Sequence, residues 1–280
     1  MTIKGAFSNK FDIHSEEFKT TLVVLYVAIV SLVFTLIVFL EPISEENYKN
    51  LSDTMFVVEA IIAGILIYYV AQLYGIKTIN GRIWALMALG IFLWALGETI
   101  WAYYEVIKGE DTPYPSVADV AWIMGYPFLF IALIMQSKMV EVPLKREEIG
   151  ALISFVGIIS IITIAYLIEP IIAEETGPDY SVSQKITDLA YPTMDLFLLF
   201  FVGLIFLKFR GGNISKSWLL LLLGFFIMAL ADIFFAYQCW QGTYETAAFP
   251  KVDLLWIYSY AIFAVGAWYT VNILRVVKTS

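Results

Sequence analysis

Histidine and cysteine are nearly absent from this sequence, which contains one of each, His14 and Cys239. His14 lies in the polar N-terminal segment, outside the apolar runs, so a histidine-ligated haem, a zinc site with imidazole ligands and a Ser-His-Asp triad all lack their histidine within those runs. One cysteine excludes an internal disulfide. The hydrophobic runs have no lysine at their centres and the chain has no glycine-rich phosphate loop, so retinal Schiff bases and nucleotide loops are excluded too.

Charged residues are also scarce, at 15% of the chain, whereas hydrophobic residues make up 60% and the mean hydropathy is +0.80. The apolar runs repeatedly reach the ~20 residues that cross a hydrocarbon core of ~30 Å. They predict an all-α, polytopic protein in a lipid bilayer, and nothing indicates nucleic acid. The eight predicted transmembrane helices are 20–40, 54–75, 83–107, 116–137, 149–169, 186–208, 217–239 and 251–274.

The basic residues lie mainly on one side of these spans. Thirteen of the 17 Lys and Arg residues fall in the two termini and in alternate loops, and four fall on the other side. Since cytoplasmic loops carry the excess of positive charge, both termini are expected in the cytoplasm, which requires an even number of spans. The opposite, acidic side would attract cations.

Residues 84–126 and 218–260 are two versions of one segment. A constant shift of 134, without a gap, aligns them with 14 identities in 43 positions, including Trp84 with Trp218. Four spans per copy is an even number, so the copies are expected to be parallel repeats related by an axis along the membrane normal. The predicted organisation is a cytoplasmic N-terminal segment 1–19, a first four-helix repeat 20–137, a basic linker 138–148, a second repeat 149–274 and a cytoplasmic tail 275–280.

The alignment places two acids, Glu98 and Asp232, at the same depth inside hydrophobic spans. Burying each charge near the bilayer centre costs about 2.5–3.5 kcal/mol on insertion scales, and intramembrane acids usually have a function. Nearby aromatic residues, among them Trp94 and Phe235, offer faces for an organic cation. The alternative is that each acid only hydrogen-bonds a neighbouring helix and fixes the packing.

A second pair of acids opens the last span of each repeat. Asp119 and Asp253 are each followed at three and seven residues by a tryptophan and a tyrosine, which puts the three side chains on one helix face. The four aromatic residues are Trp122, Tyr126, Trp256 and Tyr260. These positions suit the mouth of a ligand site, and equally suit helix capping from Ser116 together with an interfacial aromatic belt.

Further candidates follow from depth and spacing. Glu59 and Asp195 correspond at a shift of 136 and lie inside the outer ends of spans 2 and 6, while Glu105 and Trp101 share a helical stripe with Glu98. Tyr103 and Tyr237 are aligned aromatic neighbours. If the acids converge, Glu98, Asp232, Asp119 and Asp253 would also suit a hard cation with oxygen ligands.

The stretches Ala231-Asp232-Ile-Phe-Phe-Ala-Tyr237 and Asp253-Leu-Leu-Trp256-Ile-Tyr-Ser-Tyr260 resemble the multi-span N-terminal membrane modules of some prokaryotic diguanylate cyclases and sensor histidine kinases. The first repeat follows the same pattern, with Glu98 for the first aspartate. The resemblance implies a sensor in a prokaryotic plasma membrane that passes a signal to a cytoplasmic catalytic domain. This chain ends five residues after Arg275, so we expect either a separate cytoplasmic signalling partner or a stand-alone binding protein.

Three functions fit these features. The leading hypothesis is a non-enzymatic, receptor-like membrane protein that binds a small cation, or a lipid-like molecule bearing one, in an outward-facing crevice between the halves. The second is a proton- or cation-coupled secondary transporter that uses the same acids. The third is an intramembrane lipid hydrolase in which two carboxylates act as general acid and base. The sequence does not identify a cofactor.

Overall fold

A computed structural model describes residues 16–173, 181–209, 213–244 and 246–279; most of the predicted N-terminal segment, with His14, lies outside these ranges. Within them the chain forms eight helices, each long and apolar enough to cross a membrane, and no strand. This confirms the prediction of an all-α, multi-pass membrane protein. The helices are α1 Glu16–Leu40, α2 Glu45–Tyr74, α3 Ile79–Lys108, α4 Val117–Met139, α5 Arg146–Ile172, α6 Val182–Lys208, α7 Asn213–Trp240 and α8 Asp253–Thr279.

Helix α2 begins earlier than its predicted start at residue 54. The side chain of Ser44 caps the helix by accepting a hydrogen bond of 3.3 Å from the backbone N–H of Asn47. Glu45 and Glu46 occupy the first turn, where negative charge interacts favourably with the helix dipole. The polar segment expected to be a connection is therefore mostly helical, and it carries Asp53 into the protein, where only 5% of that residue is exposed.

Six helices form a closed ring in the order α2, α3, α4, α6, α7 and α8, and α8 packs back onto α2. Helix α1 packs against α8, and α5 against α6. The contacts α2–α3, α3–α4 and α4–α6 each have a counterpart among α6–α7, α7–α8 and α8–α2. Helices α1 and α5 depart from this correspondence, because α1 lies on the last helix of the other half whereas α5 lies on the next helix of its own.

Contacts inside the ring recur at positions 134 residues apart. Gly90 of α3 leaves room for Leu129 of α4, and Gly224 of α7 leaves room for Phe263 of α8; a Cβ at either glycine would lie 2.6 Å from that side chain. Small residues of this kind allow membrane helices to approach closely. Near one end of the ring of helices, the buried indoles of Trp84 and Trp218 contact each other, with their centroids 5.5 Å apart.

Candidate functional site

A cavity of about 80 Å³ lies within the ring. Its volume is well above the ~10–15 Å³ that one water molecule requires. Two of its residues, Tyr114 and Tyr244, belong to the α3–α4 and α7–α8 connections, so the cavity lies toward that end of the helices. The described residues that line it are Phe56, Trp94, Glu98, Trp101, Tyr114, Asp119, Trp122, Tyr126, Tyr191, Met228, Asp232, Phe235, Tyr244, Trp256 and Tyr260.

The lining combines carboxyl groups with aromatic surface. Three of the residues are acids, Glu98, Asp119 and Asp232, and all but one of the others are aromatic. Among the described residues that line the cavity, none is basic. Aromatic faces and carboxylates both attract cations, and the absence of a basic side chain in this lining leaves the acids without an ammonium or guanidinium partner there. The chemistry of the cavity therefore favours a positively charged ligand.

The deepest predicted acids, Glu98 on α3 and Asp232 on α7, each accept a hydrogen bond from a tyrosine of the other half of the chain. The hydroxyl of Tyr260 donates to Glu98 Oε1 at 2.8 Å, and the hydroxyl of Tyr126 lies 3.2 Å from Asp232 Oδ2. The indole Nε1 of Trp256 donates to the second oxygen of Asp232 at 2.7 Å. The two tyrosine contacts cross between the halves, so they help to hold the halves together around the cavity.

Asp119 forms the predicted helix cap and also lies in the cavity wall. Its Oδ2 accepts a hydrogen bond of 2.6 Å from the backbone N–H of Ser116, which completes the predicted capping box at the start of α4. Its Oδ1 accepts a hydrogen bond of 2.9 Å from the hydroxyl of Tyr191 on α6. Asp119 thus caps its own helix, lines the cavity and ties α4 to α6.

Asp253, the counterpart of Asp119, is buried just behind the cavity wall. It accepts hydrogen bonds from the hydroxyl of Tyr48 at 2.8 Å and from the hydroxyl of Tyr244 at 3.2 Å. Tyr244 lies in the α7–α8 connection and is itself a wall residue. Burial, and secondly the negative charge of Asp253, raise the pKa of Tyr244 well above its ordinary value, so the phenol remains a neutral donor.

A close approach between α3 and α4 fixes the indole of Trp122 in the wall. A Cβ at Gly97 would lie 2.5 Å from Trp122 Nε1, so only glycine leaves space for the indole at this point. The ring of Trp101 packs against the ring of Trp122, with their centroids 5.9 Å apart. The residue immediately before Glu98 therefore determines where one aromatic wall of the cavity lies.

The acids Glu59 and Asp195 occupy different surroundings. Asp195 is fully buried and its Oδ1 lies 2.8 Å from the hydroxyl oxygen of Tyr126, which puts Asp195 directly behind a wall residue. Glu59 is also fully buried, but it accepts a hydrogen bond of 2.8 Å from the hydroxyl of Tyr26 on α1. The structure brings Asp195 to the site and directs Glu59 toward the outer helix.

Three other candidates lie away from the cavity lining. Residues 103–108 form a π-helical turn, which changes the register of the helix, so Glu105 leaves the stripe of Glu98 and pairs with Lys49 at 3.0 Å. Tyr103 and Tyr237 are 50% and 42% exposed on the helix surfaces. Their aligned positions have the same outward orientation, as expected for side chains that meet lipid or the interface.

The acids do not form a metal-binding cluster. Within the residues that the structure describes, no group of three or more His, Cys, Asp or Glu side chains is arranged to hold a metal ion. Ca²⁺ takes six to eight oxygen ligands, several of which come from protein carboxylates and carbonyls that lie close together. The geometry of Glu98, Asp232, Asp119 and Asp253 therefore gives no support to the hard-cation hypothesis, and an organic cation fits the aromatic lining better.

Sequence reasoning missed five wall residues and two buried acids. The two acids are Asp53, in a segment predicted to be a connection, and Asp188, which accepts a hydrogen bond from the hydroxyl of Tyr114. Tyr191 has a local signal, because it precedes Pro192 and a proline inside a helix kinks that helix. The five wall residues are Phe56, Tyr114, Tyr191, Met228 and Tyr244.

Comparison of the chain with protein-family models, curated proteins and solved structures finds no match.

Proposed function

We propose that this protein is a non-enzymatic, receptor-like membrane protein that binds a small organic cation, or the cationic group of an amphiphile, in the acidic and aromatic cavity. The observation that carries the proposal is the lining itself. It contains three carboxyl groups, eleven aromatic side chains and no basic side chain among its described residues. Quaternary ammonium groups are recognised by such aromatic cages.

The proposal includes two parallel four-helix repeats that face each other across the cavity. It is supported by the recurrence of contacts at a shift of 134 and by the contact between Trp84 and Trp218. A residue touches its own counterpart only near the axis that relates two copies. Glu98 and Asp232 are counterparts as well, and both line the cavity, so the same axis would pass through the ligand site.

Orientation and signalling form the second part of the proposal. The excess of Lys and Arg at the termini and in alternate loops supports a cytoplasmic location of both termini, with the cavity toward the outside of a prokaryotic plasma membrane. A ligand that bridges Glu98 and Asp232 would change the packing of α3 against α7. The resemblance to sensor modules supports transmission of that change to a separate cytoplasmic partner.

Titration of the purified protein with choline and tetramethylammonium tests cation binding. Four of the eight tryptophans line the cavity, so intrinsic fluorescence reports occupancy directly. We expect saturable binding that the uncharged analogue of choline, with carbon in place of the quaternary nitrogen, does not reproduce. Equal binding of choline and this analogue would contradict the proposal, because the carboxylates would then have no part in recognition.

Variants of the two deep acids assign the site. Glu98→Gln and Asp232→Asn should each weaken choline binding on the order of thirtyfold or more, since removing one partner of a buried charge pair costs at least 2 kcal/mol. Glu110→Gln removes the same charge from an exposed side chain and should leave binding unchanged. If Glu110→Gln weakens binding as much as the deep variants, net charge and not the cavity governs affinity. Choline accumulation in proteoliposomes would instead identify a transporter.

A further inference from the structure

The buried residues Asp195 and Tyr126 and the partly buried Asp232 form a continuous hydrogen-bonded chain that leads from behind the cavity into it. The hydroxyl oxygen of Tyr126 lies 2.8 Å from Asp195 Oδ1 and 3.2 Å from Asp232 Oδ2. Tyr126 is 1% exposed and Asp195 is fully buried. A phenol has one hydrogen and can donate it to only one of the two acids. The other contact requires a hydrogen from a carboxyl group.

The surroundings of the two acids differ in a way that identifies the carboxyl group. Asp232 has a donor for each oxygen, because Trp256 Nε1 donates to Oδ1 and Tyr126 faces Oδ2. Asp195 Oδ2 is buried and has no hydrogen-bond partner among the described residues. An ionised carboxylate that lacks donors in apolar surroundings is strongly unfavourable, whereas a neutral carboxyl tolerates one unpaired oxygen far better.

We propose that Asp195 carries the hydrogen and acts as a positioning residue for Asp232. The Asp195 carboxyl O–H donates to the oxygen of Tyr126, so the hydrogen of Tyr126 is directed to Asp232. Asp232 is then held as the negative charge that faces the cavity. The titratable groups that interact with Asp195 are Tyr126 from α4 and Asp232 from α7.

The other half of the molecule lacks this chain. Tyr260, the counterpart of Tyr126, contacts Glu98, while Glu59, which aligns with Asp195, contacts Tyr26 on α1. The two deep acids are thus supported differently, although their sequences align. Asp195 affects one of the two anchors only, which makes the anchors distinguishable by experiment.

Infrared difference spectroscopy in heavy water tests the proposal without any ligand. The C=O stretch of one protonated carboxyl group should disappear in Asp195→Asn and remain in Asp232→Asn. Preservation of that band in Asp195→Asn, or its loss in Asp232→Asn alone, would overturn the assignment. Thermal unfolding of both variants verifies that they are folded.

Choline titration supplies the second readout and rests on the proposed function. An asparagine amide at position 195 still donates to Tyr126, so Asp195→Asn should change affinity by about twofold or less, whereas Asp232→Asn should reduce it on the order of thirtyfold. Equal losses in both variants would show that Asp195 is itself an anion and would refute the proposal. If choline does not bind the wild-type protein but the infrared band is assigned to Asp195, the cation-binding function fails and the hydrogen-bonded chain stands.

Discussion

Replacement of Gly97 by alanine is expected to displace one wall of the cavity. The added Cβ would lie 2.5 Å from Trp122 Nε1, whereas non-bonded heavy atoms prefer about 3.5 Å or more. The indole must therefore move by roughly 1 Å, against the packed ring of Trp101. Overpacking of this kind destabilises a protein by about 1–3 kcal/mol, and the intrinsic preference of helices for alanine returns about 0.5–1 kcal/mol. The middle of the first range, about 2 kcal/mol, less the middle of the second, about 0.75 kcal/mol, gives an expected net loss of about 1 kcal/mol.

Thermal unfolding in one detergent measures this loss, and choline affinity should fall with it because Trp122 lines the site. Gly157→Ala is the matched control, since a Cβ at Gly157 in α5 meets nothing within 4 Å. The control should be neutral or slightly more stable than the wild type. If Gly97→Ala unfolds at the temperature of the control and binds choline normally, the steric argument is refuted.

Two further substitutions test individual hydrogen bonds. Trp256→Phe keeps an aromatic ring but removes the hydrogen-bond donor 2.7 Å from Asp232. The free energy of unfolding should therefore fall by about 1.5–3 kcal/mol. An equal fall in the control variant Trp240→Phe would contradict this prediction. Tyr244→Phe tests stability at alkaline pH. The pKa of the Tyr244 hydroxyl is raised in the folded protein and is about 10 in the unfolded chain, so the unfolded chain loses this proton first. The stability of the wild-type protein therefore falls as the pH rises above about 10. The variant should show a shallower fall in unfolding temperature over that range, and an unchanged slope would refute the role of this phenol.

The helix count was predictable from sequence because the bilayer fixes how many apolar residues a span needs. The capping box at Ser116 and Asp119 was also predictable, since it depends on residues three positions apart in one chain segment. The placement of Trp122 and Tyr126 on one face of α4 was predictable for the same reason, because the two residues are four positions apart in one helix. In each case the physical cause acts within a few residues of the pattern.

The hydrogen-bond partners of the acids were not predictable, because they depend on which helices become neighbours. Nothing near Asp119 indicates Tyr191, and the contact exists because α4 packs against α6. The predicted placement of Glu105 differs from the structure for a separate reason. Regular helical spacing placed it under Glu98, and the π-helical turn then rotated it toward Lys49.

The crossed donation by Tyr126 and Tyr260 makes the two halves of the chain interdependent. A four-helix fragment would retain one deep acid and lose the phenol that supports it, so neither fragment would contain a complete binding pocket. Any movement that separates the halves must break both of these hydrogen bonds, from Tyr126 to Asp232 and from Tyr260 to Glu98. The shape of the pocket therefore depends on the relative position of the two halves. A ligand that binds more tightly at one separation of the halves would favour that separation throughout the molecule.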